Sequence, residues 1–175
     1  MSNRSVSDQA KDDIGRFNAL GEDEARDLLE SCLAVSRWVD EMMAGRPYDR
    51  SQALLARAEM IVQTLTPEEV ERALARHPRI GERAGEGHDV EFSTWEQSGV
   101  DGSDTSVAVE LREGNADYER RFDRVFLIRA AGRTSTEVLA ELRRRLRNSD
   151  EAEAAEVASE LGDIALGRLQ RVIAS

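Results

Sequence analysis

His77 stands directly before a proline in the run His77-Pro78-Arg79-Ile80-Gly81, and Ser93-Thr94-Trp95-Glu96-Gln97 follows a short way on. The residue before a proline is pushed out of the helical region. The segment upstream, Glu68 to Ala75, reads as helix, so His77 is expected where that helix gives way to loop. A polar or cationic ring at a helix C-terminus is favourable by itself, and His77 alone is more often such a residue than a catalyst. An imidazole, a carboxylate and an amide together are another matter. On connections between helices, His77, Glu96 and Gln97 form a candidate acid/base site.

Two arginines break the apolar pattern of their helices. Arg145 shares a face with Val138 and Leu142, and Arg168 shares one with Val157, Leu161, Ile164 and Val172. An arginine on such a stripe is seldom fully buried unless paired. Three readings stand side by side: a snorkelling side chain, a buried bridge to an acid such as Glu153, or a clamp for a carboxylate ligand. The clamp has chemical logic, because a guanidinium matches a carboxylate in a bidentate fork.

Other chemistries find little footing. The chain has two histidines, eleven residues apart, one cysteine and no HExxH, so a metal site is not expected. Gly85-Glu86-Gly87 lacks the lysine-serine of a phosphate loop, and Gln97-Ser98-Gly99 lacks the leading glycine of a nucleophile elbow. His88 reads as plain surface, and Trp38 and Trp95 as core or cleft wall. Cys32 falls on a buried helix face as a small hydrophobe.

The elements that must position these residues are helices. Ala25, Leu28, Leu29, Cys32 and Leu33 repeat as one buried face. A short helix is expected over Ser36 to Met43, stopping at Gly45-Arg46-Pro47, and a third from near Asp49 through Val62. Thr66-Pro67-Glu68-Glu69 and Thr134-Ser135-Thr136-Glu137 are capping boxes that open further helices, the second running to Arg147. Residues 81–92 read as loop and 94–98 as a short helix. Further helices are expected from Asp104 to Arg121 and from Glu151 to Ile173. The run Val125-Phe126-Leu127-Ile128 is ambiguous between strand and buried helix turn. The expectation is an all-α, compact single-domain bundle of about seven to nine helices over residues 14–175, with a flexible leader over 1–13.

Composition narrows the partners. Of 175 residues, 35 are acidic and 24 basic, a net charge of -11. Nucleic acid and anionic membranes need a basic face, so neither is expected as a partner. The densest basic cluster, Arg143-Arg144-Arg145, follows Glu137 and Glu141 and reads as a face of helical ion pairs. A lone cysteine forms no intrachain disulfide and fits a reducing, cytoplasmic setting.

The order of these motifs resembles a known family. Phe17-Asn18-Ala19-Leu20 comes first, then Ser36-Arg37-Trp38, His77 to Gly81, and Ser93-x-x-Glu96-Gln97-x-Gly99-Val100. Asn115-x-x-Tyr118 with Phe122, then Phe126 to Ala130, Gly132-Arg133, Arg145-Leu146-x-Asn148 and Ile164-x-x-x-Arg168-Leu169 complete it. The chain resembles the 2-oxo-4-hydroxy-4-carboxy-5-ureidoimidazoline (OHCU) decarboxylases from about residue 14 to 173. The resemblance implies an all-α, homodimeric enzyme that works without a cofactor and converts OHCU to (S)-allantoin. It implies His77 and Glu96 as the catalytic pair. It implies substrate contacts from Pro78, Ser93 and Gln97, from the backbone of Phe126, Leu127, Ile128, Arg129 and Ala130, and from Arg145 and Arg168. The chain departs from the family at Phe122-Asp123, where many members have Phe-Gly. The alternatives are a same-fold enzyme for another ureido or imidazoline acid, or a helical binding module without catalysis.

Overall fold

The computed structural model describes residues 14–75 and 105–174. His77, Pro78, Ser93, Glu96 and Gln97, with the loop and short helix expected around them, lie outside the described residues. Every regular element among the described residues is an α-helix, as the periodicity predicts. Residues 14–19 form α1. It is followed by α2 (Glu22–Cys32), α3 (Ser36–Ala44), α4 (Ser51–Val62), α5 (Pro67–Leu74), α6 (Thr105–Phe122), α7 (Ser135–Arg145) and α8 (Asp150–Ala174). No described helix is long and apolar enough to cross a membrane. The contacts group these residues into two compact units, one within Met1–Leu65 and Gly162–Ser175, the other within Thr66–Leu161.

In the first unit, α2 packs on α3 and α3 on α4. Ala25, Leu29 and Cys32 are buried, so the apolar stripe read from the sequence is the packed face. Trp38 is fully buried and belongs to the core. The end of α1 leaves carbonyls without helical partners. Arg46 gathers them: its Nη2 donates to the carbonyls of Phe17, Asn18 and Leu20 at 3.0, 2.9 and 2.7 Å. Asn18 and Tyr48 then pair reciprocally, Nδ2 to the Tyr48 carbonyl at 2.8 Å and the Tyr48 N–H to Oδ1 at 3.0 Å. The Phe17-to-Leu20 motif is thus a structural corner.

The second unit opens with the expected box. Thr66 Oγ1 accepts from the Glu69 N–H, and the Glu69 carboxylate accepts from the Thr66 N–H. α5 ends at Leu74, with Ala75 as its C-terminal cap, before His77. α6 and α7 pack closely because Gly114 has no Cβ; one there would stand 2.7 Å from a Leu142 methyl. α6 stops at Asp123, whose φ of 53° is left-handed and whose N–H still reaches the Glu119 carbonyl at 2.9 Å. Aspartate is among the few residues with a side chain that visit this region readily, which explains how it can hold a turn that otherwise suits glycine.

The stretch from Asp123 to Thr134 corrects the sequence expectation. It is neither strand nor helix turn but an irregular connection, with Phe126, Leu127, Ile128 and Ala130 buried. A turn closes it: the Arg133 N–H donates to the Ala130 carbonyl at 2.9 Å, and Gly132 takes a φ of 81° that suits glycine. Thr134 caps α7 through the second box, and α7 ends at Arg145, two residues short of the expected Arg147. The left-handed Asp123 generates a prediction. Asp123→Val lowers unfolding stability by about 1–2 kcal/mol through strain at a β-branched residue, whereas Asp123→Gly does not lower it. Equilibrium urea unfolding of the three proteins reads the difference.

Candidate active site

A buried connection without a sheet or helix ladder must find partners for its backbone polar groups elsewhere. Here charged side chains from two helices supply them. Arg145 of α7 donates from Nη1 to the Leu127 carbonyl at 2.7 Å. Glu160 of α8 accepts from the Arg129 N–H at 2.7 Å. The segment that the resemblance assigns to substrate binding is therefore pinned at two peptide groups. Phe126, Leu127, Ile128 and Ala130 turn inward, and Arg129 is exposed.

Arg145 is fully buried, and so is its partner Glu153. Its Nε donates to Glu153 Oε1 at 2.8 Å, and its Nη2 donates to the same oxygen. The Tyr118 hydroxyl donates to that oxygen as well, and Asn148 Nδ2 donates to Oε2 at 2.8 Å. Burial pulls the Arg145 pKa down, but the hydrogen bond and charge of Glu153 override it and hold the pKa above the usual arginine range. Burial, and then its bond to Glu153, raises the Tyr118 pKa above the usual phenol value, so Tyr118 stays a donor. The guanidinium carbon lies 4.8 Å from the Phe126 ring centroid, and Tyr118 meets Phe126 edge-on at 5.1 Å. Of the three readings open for Arg145, the described contacts are those of the buried bridge to Glu153.

Arg168 is also buried, and its Nη1 faces the Ser31 carbonyl at 3.4 Å. The other two arginines of the cluster also meet acids, and Glu156 is shared between Arg144 and Arg145. Arg143 meets Glu110, and Arg144 meets both Glu141 and Glu156, so only the Glu141–Arg144 pair is intrahelical. An open groove of about 690 Å³ is bordered by Glu22, Arg26, Asp40 and Arg46. Its charges largely answer one another, with Arg26 at 2.7 Å from Asp40 and 3.5 Å from Glu22. Among the described residues, no three His, Cys, Asp or Glu side chains converge as metal ligands.

Glu160 was not singled out from the sequence, and Tyr118 was marked by its motif without a role. A signal existed for both acids of α8. Glu153, Val157, Glu160, Leu161 and Ile164 repeat as one helical stripe, so two carboxylates two turns apart share the face that packs inward.

The fold is shared with solved structures. The chain aligns on a crystal structure of OHCU decarboxylase in the presence of (S)-allantoin with a TM-score of 0.70, at 24% identity, covering 89% of this chain and 100% of that one. It aligns on (S)-allantoin synthase with a TM-score of 0.66, at 15% identity, covering 91% and 53%. At such identities the likeness speaks for the fold. Among curated relatives, the uric acid degradation bifunctional protein of Bacillus sp. (strain TB-90) is 26% identical over 91% of this chain and 32% of its own length. The uric acid degradation bifunctional protein TTL of Arabidopsis thaliana is 28% identical over 74% of this chain and 40% of its own. The chain thus spans about a third to two fifths of the relatives it matches. The sequence profile of the OHCU decarboxylases matches residues 18–170, and the chain belongs to that family.

Two predictions come from the buried cluster and its rim. Glu153→Ala leaves the buried Arg145 charge with only Glu156, 3.8 Å from its Nε, and lowers stability by about 3–5 kcal/mol; pairing it with Arg145→Met recovers part of that loss. Chemical denaturation of the two single variants and the double variant measures the recovery. At the rim, hydrogen bonds from Arg144, then from Asn148, lower the Glu156 pKa from 4.5 to about 2. A depressed carboxylate stabilises the fold above its unfolded pKa and loses that contribution as pH falls. The stability advantage of the parent chain over Glu156→Gln is therefore present at pH 7, shrinks below about pH 4.5 and vanishes near pH 2, as denaturation across that range will read.

Proposed function

We propose that this chain decarboxylates OHCU to (S)-allantoin without a cofactor, in the breakdown of urate. The observation that carries this reading is the family match over residues 18–170, within which the ordered motifs from His77 to Arg168 fall. The two curated relatives named for uric acid degradation support the same setting.

The chemistry suits these residue types. The bond from the ring carbon to the carboxylate breaks, carbon dioxide leaves, and the electron pair stays on that carbon. The conjugated ring delocalises the pair, and hydrogen bonds to ring oxygens stabilise the charge as it develops. A proton then comes to one face of the carbon and sets the product's handedness. His77 supplies it, since imidazole titrates near neutrality. Glu96 fixes the imidazole tautomer or holds the substrate hydroxyl. Pro78, Ser93 and Gln97 line the substrate, the 126–130 backbone reads its ureido arm, and Arg168 meets its anionic side. A local arginine has particular value in a chain of net charge -11, which repels an anion at long range. The reading includes a cytoplasmic homodimer.

OHCU made from urate by urate oxidase and hydroxyisourate hydrolase provides the test. The parent chain shortens the lifetime of the intermediate, and His77→Ala, still folded, loses about 100-fold or more of the rate. Decay at the spontaneous rate in the presence of folded parent protein contradicts the proposal.

A further inference from the structure

We propose that Arg145 and Glu160 are positioning residues that fix the two peptide planes flanking Ile128, and so aim its N–H and C=O at a ureido group of the substrate. The inference rests on the proposed function above. Its starting point is the planarity of the trans peptide bond, in which C=O and N–H point in opposite directions. The Leu127 carbonyl shares a plane with the Ile128 N–H. The Ile128 carbonyl shares the next plane with the Arg129 N–H. Arg145 holds the Leu127 carbonyl at 2.7 Å, so the Ile128 N–H points away from Arg145. Glu160 holds the Arg129 N–H at 2.7 Å, so the Ile128 carbonyl points away from Glu160.

Both clamps are charge-assisted and stand on helices, which makes them stronger and stiffer than neutral contacts from a loop. Arg145 is itself immobilised, because Glu153 takes its Nε and Nη2 while Tyr118 and Asn148 hold Glu153. The Ile128 side chain is buried and cannot swing to relax the backbone. One residue then offers a donor and an acceptor in fixed directions. That pair complements a ureido group, which carries an N–H donor beside a carbonyl acceptor. Arg145 serves this arrangement by way of Leu127, and Glu160 by way of Arg129.

Glu160 is the better probe, since its side chain is partly exposed and its loss leaves the buried Arg145–Glu153 pair intact. Amide hydrogen exchange at residues 127–130 and kcat/KM with enzymically generated OHCU are compared for the parent, Glu160→Ala and Glu160→Gln. In Glu160→Ala the Arg129 amide exchanges about tenfold faster or more, and kcat/KM falls about tenfold or more with little change in the thermal midpoint. Glu160→Gln keeps an acceptor oxygen and stays within about threefold of the parent in both readouts. An unchanged Arg129 exchange rate in Glu160→Ala, or a kcat/KM within about twofold of an active parent, overturns the positioning role alone. A parent chain that does not turn over OHCU overturns the proposed function, and the positioning role with it.

Discussion

The ion pair between Arg145 and Glu153 is the constraint on which the second unit depends. Burying two charges carries a desolvation penalty that their mutual attraction rarely exceeds by much, so stability alone is a poor reason for such a pair. What the pair provides here is geometry. It turns a flexible side chain into a fixed donor at the Leu127 carbonyl, inside an apolar setting built by Tyr118, Phe126 and Leu142. Within the irregular run from Asp123 to Thr134, Phe126 to Ile128 can lie buried because Arg145 of α7 takes the Leu127 carbonyl and Glu160 of α8 takes the Arg129 N–H next to them. Without those partners the same run would expose its peptide groups to an apolar core, at a penalty of about 1–3 kcal/mol for each unpaired group.

Much of the helical frame was legible in the sequence, for local reasons. Thr66 with Glu69 and Thr134 with Glu137 start helices because two side chains and two N–H groups suffice, all within four residues. The stripe of Ala25, Leu29 and Cys32 reads directly as a packed face. The buried connection was not legible. Val125 to Ile128 has no period that separates strand from helix, and its partners lie 18 and 31 residues away. Glu153 could be named as a partner for Arg145, because an arginine on an apolar stripe asks for an acid. Glu160 could not be named in the same way, because its partner is a backbone N–H that carries no side-chain signature.

The candidate site was legible at two different levels. His77, Glu96 and Gln97 stood out by residue type and by their placement around a helix end. Arg145 and Arg168 stood out by breaking an apolar pattern. The backbone of 126–130 came only from resemblance, since a site made of peptide groups leaves no mark in side-chain chemistry. The described structure gives that segment a physical basis: a buried, non-ladder backbone held by an opposite charge at each of two peptides. Family membership, the acid/base motif and this held segment converge on the decarboxylation proposed above.

The most direct test of that convergence is an amide titration. Isotopically labelled protein is titrated with (S)-allantoin while the backbone amides of 126–130 and the His77 ring are followed by NMR. The account predicts that the Ile128 amide and the His77 ring shift together and saturate at the same ligand concentration. Shifts confined to other parts of the chain, with Ile128 and His77 unmoved at saturation, would contradict it.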